Sequence, residues 1–554
     1  MLSTPRLPLI RLSTALGAIL ALQAACGSTG TSDLGGTGGA ASGSGGAAPS
    51  GGAAPGGGAA ATGGAAATGG ALVGAGGGGP SSGGAASGGA MSTGGAGGGG
   101  GTGGDQGAGG SPASTCVPKA SAKAHNPMVT QIFTADPNAI VYGDKVYVYT
   151  SHDEDGQDGF DMVDYHVYST DDLVNWQDHG VIIHANQLNW ADRLYAPGAC
   201  EKNGKYYMYI PNSGSAIGVA VSDDPGGPFV DPLGKALITP SFPNANVPWL
   251  FDPACFVDDD GQAYLYFGGG PSGMNARAVR LNDDMVSIKD SSATTIPTTA
   301  FFEASFMHKH EGKYYFSYSS DFSSGHGAAL EYLMSDSPIS GFQYKGIFLA
   351  NAQVNRGNNN HGSIIEYKGK HYLFYHNRKL EQELGVDKVN NRSVAVQELT
   401  YKEDGTINPL TMSTEDYTVS QLKCLDGYQE VEAERIAEEK GIEVEGKAGE
   451  TVYVGQISNN DWVAYSQVDF REGATKVVLK VASENGGGKI NVVIDGCIQG
   501  AQGTQIGSCE VAATGGNSEY KELSCPIMET SSGHDLCLKF SDNPSFRLDS
   551  WHLE

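Results

Sequence analysis

At 554 residues the chain exceeds what one hydrophobic core usually supports, so two or more domains are expected. Its 61 acidic against 34 basic side chains leave a formal net charge of −27, which repels phosphate backbones, excludes nucleic acid as a partner and suits a neutral polymer. Of the 82 glycines, 40 fall before residue 115, so whole-chain averages misrepresent the folded part.

Residues 1–26 read as an export signal: Arg6 and Arg11 precede an apolar run, Leu12 to Leu22, too short for a permanent membrane span. The run ends Leu22-Gln23-Ala24-Ala25-Cys26, which resembles a bacterial lipoprotein processing site with the aliphatic residue one place further out than usual. Either Cys26 carries lipid and tethers a cell-surface lipoprotein, or cleavage is ordinary and the protein is secreted. Residues 27–115 are almost entirely Gly, Ala, Ser and Thr. Such a segment buries too little apolar surface to offset its ordering entropy and is expected to be a disordered tether. Its random-coil reach is roughly 50 Å. Beyond Cys26 eight cysteines remain, an even number that suits disulfides in an exported protein. Cys497, Cys509, Cys525 and Cys537 are expected to pair among themselves, and Cys116 and Cys424 to tie the ends of the middle region.

Residues 116–425 contain an internal repeat. Five segments share a leading residue, an apolar stretch, a glycine-containing turn and alternating tyrosines: Asp136-PNAIVYGDKVYVYTS, Ala196-PGACEKNGKYYMYIP, Asp252-PACFVDDDGQAYLYFG, Glu303-ASFMHKHEGKYYFSYS and His361-GSIIEYKGKHYLFYH. Period-two alternation about a short turn predicts a β-hairpin in each. Strand-rich repeats of this length imply one sheet per repeat, hence an all-β fold with a five-bladed β-propeller. Equivalent positions then lie at one level around the central channel, where Asp136, Asp252, Glu303 and His361 converge. Asp before Pro is also a good turn starter, but that does not explain four ionisable residues at five equivalent places. Asp258-Asp259-Asp260-Gly261 is a hairpin turn and not an EF-hand, since its twelfth position is Gly269. The acidic stretch His152 to Asp161 reads as a solvated loop and not a metal site.

Clustered carboxylates suit glycosidic bond hydrolysis, which needs one acid for the leaving oxygen and one carboxylate for water or carbon. Crowding of like charge helps keep Glu303 protonated. The same carboxylates could hold calcium, although imidazole at His361 is a poor calcium ligand. These segments resemble glycoside hydrolase family 43 over about residues 127 to 420. The likeness rests on Ala135-Asp136-Pro137, Asp252-Pro253, Phe302-Glu303-Ala304 (the family usually has glycine after this glutamate) and His361-Gly362-Ser363. It implies inversion with Asp136 as general base, Glu303 as general acid and Asp252 tuning the acid. It also implies that His361 approaches a structural calcium in the channel through water, and that no cofactor is required for the chemistry. Inversion sets the two working carboxyls roughly 6.5–9.5 Å apart. His152-DEDG, Asp164-YHVYSTDDLVNW and Arg392-SVAVQELTY look closest to the arabinoxylan arabinofuranohydrolase and β-xylosidase branch. By that likeness Arg392 contacts substrate or the acid, the alternative being a solvated strand-end arginine. Tyr195 and Trp249 are candidate sugar platforms, the alternative being core aromatics.

Residues 426–554 change style, with short alternating segments such as Asp461-WVAYSQVDF and Lys489-INVVIDG, and are expected to form a β-sandwich of the jelly-roll kind. They resemble a family 6 carbohydrate-binding module through Glu432-Ala433-Glu434, Val454-Gly455, Trp462 to Tyr465 and Leu548-Asp549. The likeness implies a structural calcium held by Glu432, Glu434 and Asp549. The family's sugar cleft is poorly matched: Gln456 replaces a tyrosine, Asn517-Ser518 a tryptophan, and Arg547 an asparagine. Sugar binding at another face and a purely structural role therefore stand level. The expected activity is release of arabinofuranosyl side chains from arabinoxylan by a monomer. The alternatives are a β-xylosidase or arabinan-degrading activity, or a surface sugar-binding protein that has lost catalysis.

Overall fold

The computed structural model describes residues 114–157, 160–271, 274–325, 327–386 and 391–554; the export segment and most of the tether lie outside them. Strands dominate, and the α-helix Lys379–Leu384 is six residues long.

Each repeat folds as an antiparallel hairpin. The pairs are Thr134–Tyr142 with Lys145–His152, Gly198–Lys202 with Lys205–Asn212, Ala254–Val257 with Ala263–Phe267, Thr294–His310 with Lys313–Ser320, and Gly362–Tyr367 with Lys370–Asn377. The turn glycines sit at φ between 61° and 80°, backbone that glycine adopts without penalty. Asp258 to Gly261 is one of these turns, as read from the sequence. The first strands are neighbours in a closed ring: the strand from Thr134 touches those from Gly198 and Gly362, and the Ala254 and Thr294 strands complete the circuit. Closure is fastened where the Ala139 N–H donates to Ser363 Oγ at 2.9 Å.

The alternating tyrosines explain the ring. Each second strand presents apolar side chains to both faces, so every repeat packs against two neighbours. Tyr147 and Tyr149 pack with Met208 and Ile210, Tyr207 and Tyr209 with Leu265 and Phe267, and Tyr264 and Tyr266 with Phe316 and Tyr318. Tyr315 then packs with Leu373 and Tyr375, and Tyr372 and Phe374 with Val146 and Val148. The third and fourth repeats do not form separate sheets. The 17-residue strand Thr294–His310 pairs with Met274–Arg280 along its first half and Lys313–Ser320 along its second. Register shifts on either side of Glu303 mark the change of partner.

Residues from Leu425 onward form a curled sheet around one core containing Tyr465, Phe470, Leu479, Leu538 and Trp551. This region docks on the first repeat: Arg435–Ile436 extends the edge of Trp176–His184, pairing Arg435 with Gln177 and Ile436 with Trp176. Arg435 Nη2 meets Asp171 Oδ1 at 2.5 Å, and Lys119 Nζ meets Asp535 at 2.6 Å. Disulfides join Cys116 to Cys424, Cys497 to Cys537 and Cys509 to Cys525, in keeping with the pairing expected above. Cys200–Cys255 links the first strands of the second and third repeats. No helix among the described residues is long and apolar enough to cross a membrane.

Candidate active site

Asp136 lies near the start of Thr134–Tyr142, Asp252 and His361 just before Ala254–Val257 and Gly362–Tyr367, and Glu303 midway along Thr294–His310; all four are buried. Local backbone aims them. Asp136 and Asp252 have φ of 52° and 47°, left-handed values that aspartate tolerates better than most residues. A register shift between Ala135 and Asn138 frees Asp136 from the ladder. Ala304, beside the third carboxylate, sits at φ 64°. That is the position where the family usually carries glycine, so the alanine is held in strained backbone.

The surroundings drive the carboxylates apart in proton affinity. Burial alone raises the pKa of Asp136, but Arg392, a hydrogen bond with His376 and the nearby His361 together hold it far below the ordinary carboxylate range. Arg392 Nη1 donates to Asp136 Oδ1 at 2.6 Å, and Ser151 Oγ donates to Oδ2 at 2.7 Å. Asp252 and Glu303 move the other way. Burial raises both; repulsion from Glu303 and then from Asp136 adds at Asp252, and repulsion from Asp136 adds at Glu303. The Ala304 N–H donates to Asp252 Oδ2 at 2.8 Å, so the Asp252 carboxylate grips the peptide that follows Glu303. His361 Nδ1 lies 3.7 Å from Asp136 Oδ1 and 3.8 Å from Asp252 Oδ2. Burial lowers its pKa to about 4, which leaves a neutral imidazole.

Arg392 is fully buried and not a solvated strand-end residue; it pairs with Asp136 and Asp153. Its Nε and Nη2 donate to Asp153 at 2.9 and 2.7 Å. The His152 to Asp161 stretch is therefore solvated only in part: Asp153 is fully buried and His152 largely so, and exposure begins beyond Glu154. Tyr195 is half-buried with Arg392 within electrostatic reach, and Phe160 covers the Arg392 guanidinium at 5.0 Å. Trp249 is half-buried and packs edge-on against Phe251 and Phe302, with Phe322 next in the row. Phe302, not Trp249, adjoins Glu303 along the chain.

Several residues of the site escaped the sequence. The Asn359 side chain bonds Glu303, and its Oδ1 accepts from Arg378 Nη2 at 2.8 Å. The Asn359 carbonyl lies 3.1 Å from His376 Nε2, while His376 Nδ1 accepts the Asp136 N–H at 3.2 Å. One asparagine thus touches Glu303 directly and Asp136 through a histidine. The only available signal was the run Asn358-Asn359-Asn360-His361.

In the C-terminal region Glu432 is exposed, Glu434 is buried where Gln177 Nε2 donates to it at 2.9 Å, and Asp549 is taken by Lys480 Nζ at 2.7 Å. Among the described residues these three do not converge as metal donors; His152, Asp164 and His166 do, as do His310, Glu366 and His371. The depression around Gln456, Asn517 and Arg547 is polar, and Arg547 covers the Tyr453 ring at 4.4 Å.

The family model for glycosyl hydrolases family 43 matches residues 124–407, and that for carbohydrate binding module family 6 matches residues 432–554. The chain belongs to glycosyl hydrolase family 43. An arabinoxylan arabinofuranohydrolase of Paenibacillus polymyxa is 36% identical over 77% of this chain and 74% of its own. A xylosidase/arabinosidase of Humicola insolens is 38% identical over 51% of this chain and 98% of its own. The crystal structure of a family 43 arabinoxylan arabinofuranohydrolase from Bacillus subtilis, in complex with cellotetraose, matches with TM-score 0.70 and 34% identity, covering 77% of this chain and 97% of that one. This family 43 chain is a glycoside hydrolase with a family 6 module behind its catalytic region.

Proposed function

We propose that this hydrolase releases α-L-arabinofuranosyl side chains from arabinoxylan with inversion, on a five-bladed propeller formed by the five hairpin repeats. The observation that carries this is the opposed electrostatics at the ring axis: Asp136 is kept ionised by Arg392 while Asp252 and Glu303 are pushed toward the protonated state. Glu303 gives its proton to the glycosidic oxygen as the bond to the anomeric carbon breaks. Asp136 orients a water on the opposite face and takes its proton as the new bond forms. The transition state is cationic at carbon, so the fixed negative charge of Asp136 stabilises it and strong basicity is not needed. Asp252 raises the acid's pKa and fixes the Ala304 peptide. Arg392 serves Asp136 as a positioning residue. Relatives named for arabinoxylan over most of the chain support the substrate.

The residues fit an axial cation in one respect. Both polar atoms of the buried Asn360 amide, next to His361, lack a partner, as a water-bridged ion would require. Such an ion would supply charge and anchor water near His361, Asp136 and Asp252. The Glu432, Glu434 and Asp549 set fits calcium in part: their carboxylates repel one another and Glu434 Oε2 is buried without a partner, while Lys480 Nζ takes Asp549 at 2.7 Å. The domain limits 116–425 and 426–554, export through residues 1–26, lipid at Cys26 and a flexible tether over 27–115 belong to the same proposal and rest on sequence.

A β-xylosidase is the second candidate, favoured by relatives named xylosidase/arabinosidase over the catalytic region. Initial rates on aryl arabinofuranoside and aryl xyloside, with product profiles on arabinoxylan and linear arabinan, separate the two. Arabinose from arabinoxylan, with little from arabinan or xyloside, is expected; xylose as the main product would transfer the assignment to the second candidate.

A further inference from the structure

Beside the catalytic ring lies a second cluster that hydrolysis does not use. His152 ends the strand Lys145–His152, and Asp164 and His166 lie on the adjacent antiparallel strand Asp164–Thr170. Each offers a donor atom within 4.8 Å of the others. His152 Nδ1 is 3.0 Å from Asp164 Oδ1, and His166 Nε2 is 3.9 Å from the same oxygen. Donors held at about 2.0 Å from a tetrahedral ion stand roughly 3.3 Å apart, so these gaps bracket the required spacing. Behind His166, Asp178 Oδ1 lies 3.6 Å from Nδ1, beyond a hydrogen bond but near enough to attract the positive charge of a metal-bound imidazole. The second ring nitrogens, His166 Nδ1 and His152 Nε2, are not among these donors and are buried without a hydrogen-bond partner. Glu154 Oε1 is 4.0 Å from His152 Nδ1 and partly exposed, which supplies both an approach from solvent and a fourth ligand.

We propose that His152, Asp164 and His166 form a binding site for a borderline divalent transition-metal ion of the zinc class. Two imidazoles and one carboxylate suit such an ion, whereas calcium prefers an all-oxygen set. The ion's role is structural. It clamps the end of one strand to its neighbour one residue before Asp153, the carboxylate that holds Arg392 against Asp136. The competing account is a plain ion pair between a protonated His152 and Asp164.

The test uses full-length, tag-free protein stripped with chelator and dialysed against buffered zinc in excess calcium. His310, Glu366 and His371, a more exposed group on other repeats, provide the control. One zinc per chain is expected that His371→Ala leaves in place and that Asp164→Asn and His166→Ala remove. Cobalt at that site should show the visible bands of tetrahedral coordination, unchanged by His371→Ala. Near-ultraviolet circular dichroism of the near-isosteric Asp164→Asn separates loss of ligand from loss of fold. No zinc on wild type, zinc that survives Asp164→Asn, or zinc lost with His371→Ala overturns the proposal. Should neither ligand variant fold, the cobalt spectra of wild type and His371→Ala decide it.

Discussion

At the ring axis, three carboxylates, two histidines and an arginine are buried together and satisfied mainly by one another. In the depression of the C-terminal sheet, Gln456 lies open to solvent and Arg547 covers the Tyr453 ring. Both regions belong to sugar-handling families, yet only the axis has the low-dielectric surroundings that turn charge into proton chemistry. Beside the C-terminal depression Arg547 takes one face of Tyr453, and aromatic faces contribute most to holding a sugar ring. The difference places buried charge in the ring, and the appended module is joined to it by the Arg435–Ile436 strand pairing and by the Arg435–Asp171 and Lys119–Asp535 ion pairs.

The sharpest way to break this comparison is to remove its charges. Glu303→Gln and Asp136→Asn should each lower kcat/KM on aryl arabinofuranoside by about 10²–10⁴-fold, whereas Arg547→Ala should leave that rate unchanged. Comparable losses in all three would end the contrast. Arg392→Met strands two buried carboxylates, Asp136 and Asp153, and should cost about 3–5 kcal/mol in denaturant unfolding. The same change removes the attraction that depresses the Asp136 pKa, so the acidic limb of the kcat/KM profile should move to higher pH. Asp252→Asn acts on the other limb. Without a neighbouring charge to repel, Glu303 ionises more readily and the alkaline limb should move to lower pH, a shift that a pH–rate profile resolves. The smallest effect is expected at Ala304, where glycine relieves left-handed strain. Ala304→Gly should stabilise by about 0.5–1 kcal/mol in thermal unfolding, with the Asp252 contact kept because it uses the backbone N–H.

Much of this architecture was legible in the sequence because hairpin repeats write themselves at period two. Asp136, Asp252, Glu303 and His361 stood out as the polar leaders of apolar strands. What stayed hidden depends on contacts between distant segments. Asp153 looked like part of an acidic loop until Arg392, 239 positions away, was seen to neutralise it. Asn359 looked like loop composition, since nothing local shows that it reaches both Glu303 and His376. The continuous strand through the third and fourth repeats was also invisible, because a bulge that redirects a strand leaves no periodic mark. In the C-terminal region the residues replacing the usual cleft aromatics were readable, and the Arg547–Tyr453 packing gives them a physical consequence.

The central claim is that Asp136 and Glu303 act on opposite faces of the scissile bond, with water between base and sugar. Proton NMR of the first-formed sugar, recorded before mutarotation, tests it most directly. The account predicts that the anomer released from an α-linked arabinofuranoside is the β form; release of the α form would show a covalent, retaining route and contradict it.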